Sequence, residues 1–136
     1  MRIISGKLKG KTISFLKSLT TRPLKDSVKE SIFNIITHSN LININLKNSN
    51  FLDLYSGIGS FGLECVSRGA EKITFVEKDK NVVEILKKNL LNLNIKKNVN
   101  VVVDEIENFL KCNLSEKFEV IFLEDFFLKN FLFRRL

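Results

Sequence analysis

Residues 53–62 read DLYSGIGSFG, a G-x-G-x-x-G pattern between a short apolar run and a segment with helical spacing. Glycines such as Gly57, Gly59 and Gly62 let a backbone approach a ligand that a Cβ atom would block, and the N-terminus of a helix offers free N–H groups. Glu77 ends the next apolar run, where its carboxylate is placed to accept hydrogen bonds from ribose hydroxyls. Strand, glycine-rich loop, helix, second strand and terminal acid together predict a site for a nucleotide-type cofactor.

The alternation continues beyond this loop and predicts the fold class. Short apolar runs cover residues 51–55, 73–77, 99–103 and 118–123. Helical segments lie between them, at residues 60–67, 80–91 and 105–112. Strands that alternate with helices indicate βαβ units with right-handed crossovers, and strands without polar alternation are typical of sheets covered on both faces. We therefore predict an α/β fold, a Rossmann-like parallel sheet with helices on both faces.

The N-terminal part has a different character. Residues 1–12 alternate weakly around Gly6 and Gly10, which predicts a short hairpin or an extended arm. Because the residue before a proline avoids helix, a helix is expected to begin just after Pro23 and to run through His38. We divide the chain into three segments: an arm and helix at residues 1–49, the cofactor-binding half of a domain at residues 50–123, and a tail at residues 124–136.

The charge of the chain is concentrated at its N-terminus. The chain has 22 basic and 15 acidic side chains, a net charge of +7. Residues 1–30 hold 8 basic and 2 acidic groups, a net +6, whereas residues 31–136 hold 14 and 13, a net +1. A near-neutral body with a basic arm is typical of a protein that binds phosphates, whereas a general lysine bias, the alternative, would spread the charge evenly. The distribution favours nucleic acid as a partner.

Length, cysteines and hydropathy exclude several classes of protein. A chain of 136 residues is one domain that can bury a core without disulfides or a structural metal. Cys65 and Cys112 lack CxxC spacing, so we expect buried, reduced side chains, and with one histidine we expect no metal centre. No apolar run reaches the length of about 18 residues that a membrane helix needs, and no secretory signal opens the chain. We expect a cytoplasmic monomer.

Carboxylates near the loop bear on the identity of the cofactor. Asp53, four residues before Gly57, would repel the pyrophosphate of a dinucleotide but suits an ammonium group. S-adenosylmethionine has an ammonium group, a ribose and an adenine and lacks phosphate, and Asp104, after the third apolar run, is placed to reach the adenine amine. Two alternatives stay open: both aspartates can be helix caps or strand ends, and the glycine pattern taken literally fits a NAD-dependent oxidoreductase.

Five segments of the sequence carry a resemblance to a known family. In the arm these are RIISGKLKGK at residues 2–11 and TRPLKDSVKESIFN at residues 21–34. In the body they are LDLYSGIGSFGLE at 52–64, SRGA at 67–70 and FVEKD at 75–79. In this order they resemble the bacterial ribosomal RNA small-subunit methyltransferase D family over residues 1–123. The resemblance implies transfer of a methyl group from S-adenosylmethionine to the exocyclic N2 of a guanine in 16S ribosomal RNA.

The resemblance and the loop together assign site residues. They imply that the segment of Arg22 and Pro23 and the helix after it lie over the cofactor, while the basic arm contacts RNA. The expected cofactor contacts are Asp53, Tyr55, Ser56, Gly57, Gly59, Glu77, Lys78 and Asp104. The expected RNA contacts are Arg2, Lys7, Lys9, Lys11 and Arg22.

The chain departs from the family where its fourth strand ends. Family members have Asp/Asn-Pro-Pro-Phe/Tyr there, in which an acidic side chain and a proline carbonyl hold the guanine amine and a ring stacks on the flipped base. This chain reads Glu124-Asp125-Phe126-Phe127, with no proline. Glu124 or Asp125 is therefore the candidate for the acidic position, and Phe127 or Phe126 for the stacking ring.

Family members continue with further strands that cover the fourth one. We therefore expect the C-terminal half of the sheet to be missing, the fourth strand to be an uncovered edge, and the gene to carry a frameshift or truncation near residue 124. A minimised enzyme is one alternative. A non-catalytic relic that binds only cofactor or RNA is another.

Overall fold

The computed structural model describes residues 1–15, 24–40, 44–112, 115–125 and 129–133, and strands and helices alternate within them as the sequence predicts. The helices are α1 (Asp26–His38), α2 (Ser60–Ser67), α3 (Lys80–Asn92) and α4 (Ile106–Cys112), with a 3-10 turn at Leu46–Asn48. The strands are β1 (Asn50–Leu54), β2 (Lys72–Glu77), β3 (Val99–Val103), β4 (Val120–Asp125) and β5 (Lys129–Phe133). The helix expected after Pro23 is α1, which begins at Asp26.

One sheet contains all of these strands, in the order β3-β2-β1-β4-β5. β1 to β4 run parallel, and β1 lies at the centre, with Leu54 opposite Val76 of β2 on one side and Leu123 of β4 on the other. Strand order reverses between β1 and β4, which places a crevice at the carboxyl ends of the central strands. The predicted Rossmann-like α/β fold is confirmed.

The prediction that β4 is an uncovered edge of the sheet is wrong. β5 pairs antiparallel with β4, with Glu124 opposite Asn130 and Asp125 opposite Lys129. β4 runs through Asp125, so Glu124 and Asp125 belong to the strand and not to a turn after Leu123. The physical reason is that a strand edge exposes a row of N–H and C=O groups, and the following stretch KNFLF supplies a strand that pairs with them.

The core occupies both faces of the sheet. On one face Phe61 of α2 stacks on Phe33 of α1, with ring centroids 5.4 Å apart, and on Phe122 of β4, with centroids 3.8 Å apart. On the other face Ile106 and Phe109 of α4 are buried against β1 and β2. Helices therefore cover both faces, as expected for strands with few polar residues.

Of the two forms predicted for the N-terminal segment, a short hairpin or an extended arm, the structure has the hairpin. Arg2 forms an antiparallel bridge with Thr12, and the Ile3 N–H donates to the Lys11 carbonyl at 2.9 Å. Ile3 and Ile13 are buried in the core on the α2 face, so this segment is part of the folded domain. We call residues 1–14 the hairpin below.

The two cysteines differ in their surroundings. Both are free thiols, but only Cys65 is buried, whereas Cys112 is exposed. The prediction that both are buried is wrong for Cys112, because α4 turns Ile106 and Phe109 inward and ends at Cys112. Burial raises the pKa of the Cys65 thiol well above its usual value, and the neighbouring carboxylates of Asp53 and Glu64 raise it further.

Candidate functional site

The glycine loop, residues 55–59, joins β1 to α2 at the carboxyl edge of the sheet. Its backbone φ is in the left-handed region at Tyr55 (54°), Gly57 (55°) and Gly59 (89°). A Cβ atom at Gly59 would lie 2.4 Å from Cδ1 of Leu86, whereas a Cβ atom at Gly57 would meet no atom within 4 Å. Packing therefore requires glycine at Gly59, and at Gly57 the backbone borders open space that suits a ligand.

Hydrogen bonds from β2 hold the glycine loop in this shape. The Ser56 N–H donates to the Val76 carbonyl at 3.1 Å, and the Gly57 N–H donates to Oε2 of Glu77 at 3.0 Å. Oε1 of Glu77 accepts a 3.0 Å hydrogen bond from the Asp79 N–H, just before α3. One carboxylate thus ties the loop to the start of α3, and its oxygens keep acceptor capacity for further donors such as hydroxyls.

A pocket of about 200 Å³ opens at the carboxyl ends of β1, β2 and β3. It brings together four predicted cofactor residues, Tyr55, Glu77, Lys78 and Asp104. Val76, Glu105, Ile106 and Glu107 complete the lining, and no motif in the sequence marks them. No residue of α1 lines this pocket, and Arg22 and Pro23, which are expected over the cofactor together with that helix, lie outside the described residues.

Asp104 lies on the wall of the pocket, two residues before α4 begins. Its Oδ1 atom accepts hydrogen bonds from the Glu105 N–H at 2.8 Å and from Nδ2 of Asn108 at 3.2 Å. Carboxylates at a helix N-terminus are stabilised by the N–H groups and the helix dipole. These two hydrogen bonds fix the position of the Asp104 carboxylate on the pocket wall.

Asp53 bonds an N–H group in the first turn of a helix. It is buried in β1, and its Oδ2 atom accepts a 3.1 Å hydrogen bond from the Gly62 N–H in the first turn of α2. It does not line the pocket. The capping alternative raised for Asp53 is therefore what the geometry presents, and a carboxylate retains acceptor sites for other donors.

Two serine hydroxyls flank the glycines. Within the described part of the chain, the hydroxyls of Ser56 and Ser60 are buried and lack a hydrogen-bond partner, as does that of Thr74. A buried polar atom without a partner is uncommon in folded proteins. At the loop these hydroxyls offer hydrogen bonds to a polar ligand.

The candidate catalytic residues reach the same edge of the sheet. Leu54, the last residue of β1, lies opposite Leu123, so the backbone of Glu124 and Asp125 follows directly beside the start of the glycine loop. Phe127 lies outside the described residues. The sheet topology brings the backbone of Glu124 and Asp125 and the glycine loop to the same end of the sheet.

The predicted RNA contacts of the hairpin are exposed. Arg2, Lys7, Lys9 and Lys11 present their side chains to solvent, and Arg22 lies outside the described residues. The hairpin itself is docked on the end of α2: the Lys7 N–H donates to the Ser67 carbonyl at 2.8 Å, and the Leu8 N–H to the Ser67 hydroxyl at 2.9 Å. The basic side chains are thereby held on a fixed surface.

Glu64 of α2, which was not among the predicted site residues, anchors this hairpin. Its buried carboxylate accepts 3.0 Å hydrogen bonds from the N–H groups of Ile4 and Ser5. Nε of Arg68 lies 3.0 Å away, and Nζ of the buried Lys29 lies 3.9 Å away. The spacing of Glu64 and Arg68 is the only sequence signal for the cluster, because their partners are distant along the chain.

Neither a membrane-spanning helix nor a metal site is found among the described residues. No helix there is long and apolar enough to cross a membrane. No group of three or more His, Cys, Asp or Glu side chains there could hold a metal ion.

Comparisons with known proteins agree on one family. The family model described as "Conserved hypothetical protein 95" matches residues 1–133. The chain is 37% identical over 126 residues to the ribosomal RNA small subunit methyltransferase D of Haemophilus influenzae, covering 91% of this chain and 62% of the relative. The solved structure of yhhF from Escherichia coli matches with a TM-score of 0.75 and 29% identity, covering 93% of this chain and 64% of that one.

A more distant solved structure shares the fold alone. The C-terminal domain of precorrin-6Y C5,15-methyltransferase from Rhodobacter capsulatus has a TM-score of 0.63 at 15% identity, over 76% of this chain and 51% of that one. The chain spans about three fifths of the length of the curated relative and of the Escherichia coli protein.

Proposed function

The chain belongs to the ribosomal RNA small subunit methyltransferase D family, and on that premise we propose that it transfers a methyl group from S-adenosylmethionine to the exocyclic N2 of a guanine in 16S ribosomal RNA. The observation that carries the proposal is the glycine loop, whose Gly57 N–H donates to Glu77 at 3.0 Å at the mouth of the crevice. A glycine loop beside an acid that ends the next strand suits a ligand with a ribose. The proposed activity belongs to ribosome biogenesis, which takes place in the bacterial cytoplasm.

The charge around the pocket supports S-adenosylmethionine over a dinucleotide. The pocket is lined by four carboxylates and one ammonium group: Glu77, Asp104, Glu105, Glu107 and Lys78. Surroundings with an excess of negative charge attract a cationic ligand and repel a pyrophosphate. The oxidoreductase alternative therefore has only the spacing of the glycines in its favour.

The residues of the site fit the parts of S-adenosylmethionine. We assign the ribose hydroxyls to Glu77, the adenine amine to Asp104, and the apolar walls of Val76 and Ile106 to the adenine ring. We assign the amino-acid part to Asp53, because its carboxylate suits an ammonium group, and to the hydroxyls and backbone of the loop from Tyr55 to Gly59. Lys78 lines the pocket. When bound, S-adenosylmethionine supplies a methyl group activated by its sulfonium charge.

The contribution of the protein to methyl transfer is alignment. We propose that the acidic side chain of Glu124 or Asp125 accepts a hydrogen bond from the guanine amine and orients its lone pair, and that Phe127 stacks on the base. The support is topological. Leu123 of β4 pairs with Leu54, the last residue of β1, so the backbone of Glu124 and Asp125 lies beside the start of the glycine loop.

The hairpin supports RNA as the substrate. Lys7, Lys9 and Lys11 are exposed on a backbone that Glu64 and Ser67 hold against α2. Because the backbone is held in this way, the three lysines stand at set positions, and binding phosphates has to order only their side chains. We propose that this surface docks on the phosphate backbone of 16S ribosomal RNA.

One observation favours a second candidate, a protein that binds cofactor or RNA without catalysis. The family's Pro-Pro turn is absent, and Glu124 and Asp125 are paired within the sheet with Asn130 and Lys129. A strand does not present acceptors in the preorganised turn that the family uses. Binding without transfer is the expected behaviour of this candidate.

Calorimetric titration and a transfer assay test both candidates. The purified chain is titrated with S-adenosylmethionine and with NAD, and then incubated with methyl-labelled cofactor and either 16S ribosomal RNA or assembled small subunits. We expect binding of S-adenosylmethionine alone and label in RNA. Binding of NAD alone would refute the methyltransferase proposal, and binding of S-adenosylmethionine without label in either substrate would favour the non-catalytic candidate.

A further inference from the structure

Asn89 of α3 is a buried polar residue that the proposed chemistry does not use. Its side chain is 1% exposed and makes three hydrogen bonds. Oδ1 accepts from the Ser14 N–H at 2.8 Å, and Nδ2 donates to the Ser14 carbonyl at 3.0 Å and to the Ile58 carbonyl at 3.2 Å. The side-chain amide therefore makes with Ser14 the pair of hydrogen bonds that a neighbouring β-strand would make. Its second N–H donates to the Ile58 carbonyl.

The partners of Asn89 belong to the two surfaces assigned to ligands. Ile58 lies in the glycine loop, between Gly57 and Gly59. Ser14 ends the hairpin that bears the basic side chains, one residue after the Ile13 N–H donates to the Met1 carbonyl at 2.8 Å. The side chain of Asn89 thus connects the glycine loop with the hairpin, which is the surface assigned to RNA.

The contact also fixes the shape of the loop. β2 holds the start of the loop through Ser56 and Gly57, and Asn89 of α3 holds the Ile58 carbonyl, next to the left-handed Gly59. Without the amide, the Ile58 carbonyl and both backbone groups of Ser14 would lose these hydrogen bonds, and losing the partner of a buried polar group is costly. The shape of the glycine loop and the position of the end of the hairpin therefore depend on the same side-chain amide.

We propose that Asn89 is a positioning residue that couples the glycine loop to the hairpin, so that S-adenosylmethionine and 16S ribosomal RNA each strengthen the binding of the other. This inference rests on the proposed function. When one ligand orders its side of the contact, the binding of the other ligand costs less conformational entropy. The coupling factor must be the same in both directions, because it is a difference of binding free energies.

The test measures that coupling factor with and without the amide. Asn89→Leu keeps the approximate size of the side chain and removes all three hydrogen bonds. Asn92→Leu is the matched control, the same substitution at an exposed position of the same helix. Ile36→Val, in the core of α1, controls for a general decrease in stability. Dissociation constants for S-adenosylmethionine are measured with and without a 16S ribosomal RNA transcript, below the melting temperature of every variant.

We expect the transcript to tighten cofactor binding about fivefold in the wild type, the scale of one net hydrogen bond, and to leave it nearly unchanged in Asn89→Leu. Asn92→Leu and Ile36→Val should keep the wild-type factor. If Asn89→Leu does not fold, Asn89→Ser, which introduces a smaller hydroxyl side chain, is measured in the same way.

The outcomes separate this inference from the proposed function. A wild type that binds neither S-adenosylmethionine nor the transcript contradicts the proposed function. A wild type that binds both without mutual effect overturns the coupling. A lowered melting temperature with an unchanged coupling factor also overturns it, because Asn89 would then act only on stability.

Discussion

At the scale of single residues, carboxylates carry most of the candidate site. Glu77, Asp53 and Asp104 each accept at least one backbone N–H, at Gly57, Gly62 and Glu105 respectively. These bonds fix the carboxylates in place before a ligand arrives. Such preorganisation lowers the entropic cost of binding a small polar ligand.

Glu77 gives the sharpest prediction at this scale. Glu77→Gln removes the charge and one acceptor oxygen while keeping the shape of the side chain, and we expect the dissociation constant for S-adenosylmethionine to rise about tenfold or more, since hydrogen bonds to charged groups are worth roughly 1.5–3 kcal/mol. Calorimetric titration measures the change. Glu71→Gln, at an exposed position just before β2, is the matched control. Equal affinities in the two variants would show that Glu77 does not hold the ribose.

The two cysteines give a second prediction. Because thiolates react and thiols do not, a thiol reagent at pH 8 should label exposed Cys112 rapidly and buried Cys65 only at the rate of unfolding. Mass spectrometry of the digested protein assigns the label. Rapid labelling of Cys65 in the native state would contradict its burial.

The raised pKa of Cys65 also predicts a pH dependence of stability. Above about pH 8.5, the usual pKa of a cysteine, the unfolded chain releases the Cys65 proton while the native protein retains it, so stability falls as pH rises. Cys65→Ala should flatten this fall in urea unfolding between roughly pH 8 and pH 10. Parallel curves for the two proteins would show that Cys65 does not contribute to it.

At the scale of elements, the hairpin and α2 form one unit. Gly6 makes this possible: its φ is 84°, and a Cβ atom there would lie 2.0 Å from the Ser67 carbonyl oxygen. Glycine therefore lets the hairpin turn against the end of α2, where the backbone N–H groups of Lys7 and Leu8 find acceptors on Ser67. The segment that the sequence marks as basic is thus also a packed part of the domain.

The lysines of the hairpin give a prediction about salt. Replacing Lys7, Lys9 and Lys11 with glutamine should weaken RNA binding and flatten its dependence on salt, by about 0.7–0.9 in the slope of log K against log salt for each phosphate that is no longer neutralised. Filter binding between low and moderate salt measures the slope. The matched control replaces Lys87, Lys88 and Lys111, exposed on α3 and α4, with glutamine. If both variants change the slope equally, the hairpin is not a specific RNA-binding surface.

At the scale of the whole molecule, two features hold the parts together. Phe61 stacks between Phe33 and Phe122 and so joins α1, α2 and β4 through apolar contact. Glu64 joins the hairpin, α1 and α2 through charge, with Lys29 also donating to the Arg2 carbonyl at 3.3 Å. The hairpin is thus bound to the domain by an internal carboxylate as well as by buried isoleucines.

Removing the charge of Glu64 should be costly for the entire fold. Glu64→Gln removes the buried one of the two carboxylates near Lys29, the other being that of half-exposed Asp26 at 3.8 Å, and it disturbs the N–H bonds of Ile4 and Ser5. Breaking one side of a buried ion pair typically costs roughly 3–5 kcal/mol, and we expect the free energy of unfolding in urea to fall by about 3 kcal/mol. Glu30→Gln, exposed on α1, should leave it nearly unchanged. A decrease below about 1 kcal/mol for Glu64→Gln, within the range of an exposed ion pair, would contradict the anchoring role.

Local patterns in the sequence were sufficient to predict the order of strands and helices, the glycine loop and the position of Glu77 at the end of β2, whereas for residues 1–12 they left a hairpin and an extended arm as alternatives. These features depend on local periodicity, glycine spacing and strand ends, which a single sequence displays directly. The basic character of the hairpin was equally visible in the charge count of residues 1–30. The apolar pocket residue Ile106 was missed because its helical spacing is that of any core residue.

Which distant groups meet is seen only in the packed structure. The pairing of β5 with β4, the anchoring of the hairpin by Glu64, and the contact of Asn89 with Ser14 and Ile58 join residues that are far apart in the chain or whose pairing no motif specifies. Buried polar groups take whichever partners the packed fold brings within reach, and a strand edge pairs with the chain that lies beside it. Periodicity fixes each element separately, but the partners of buried polar groups are set when the elements pack.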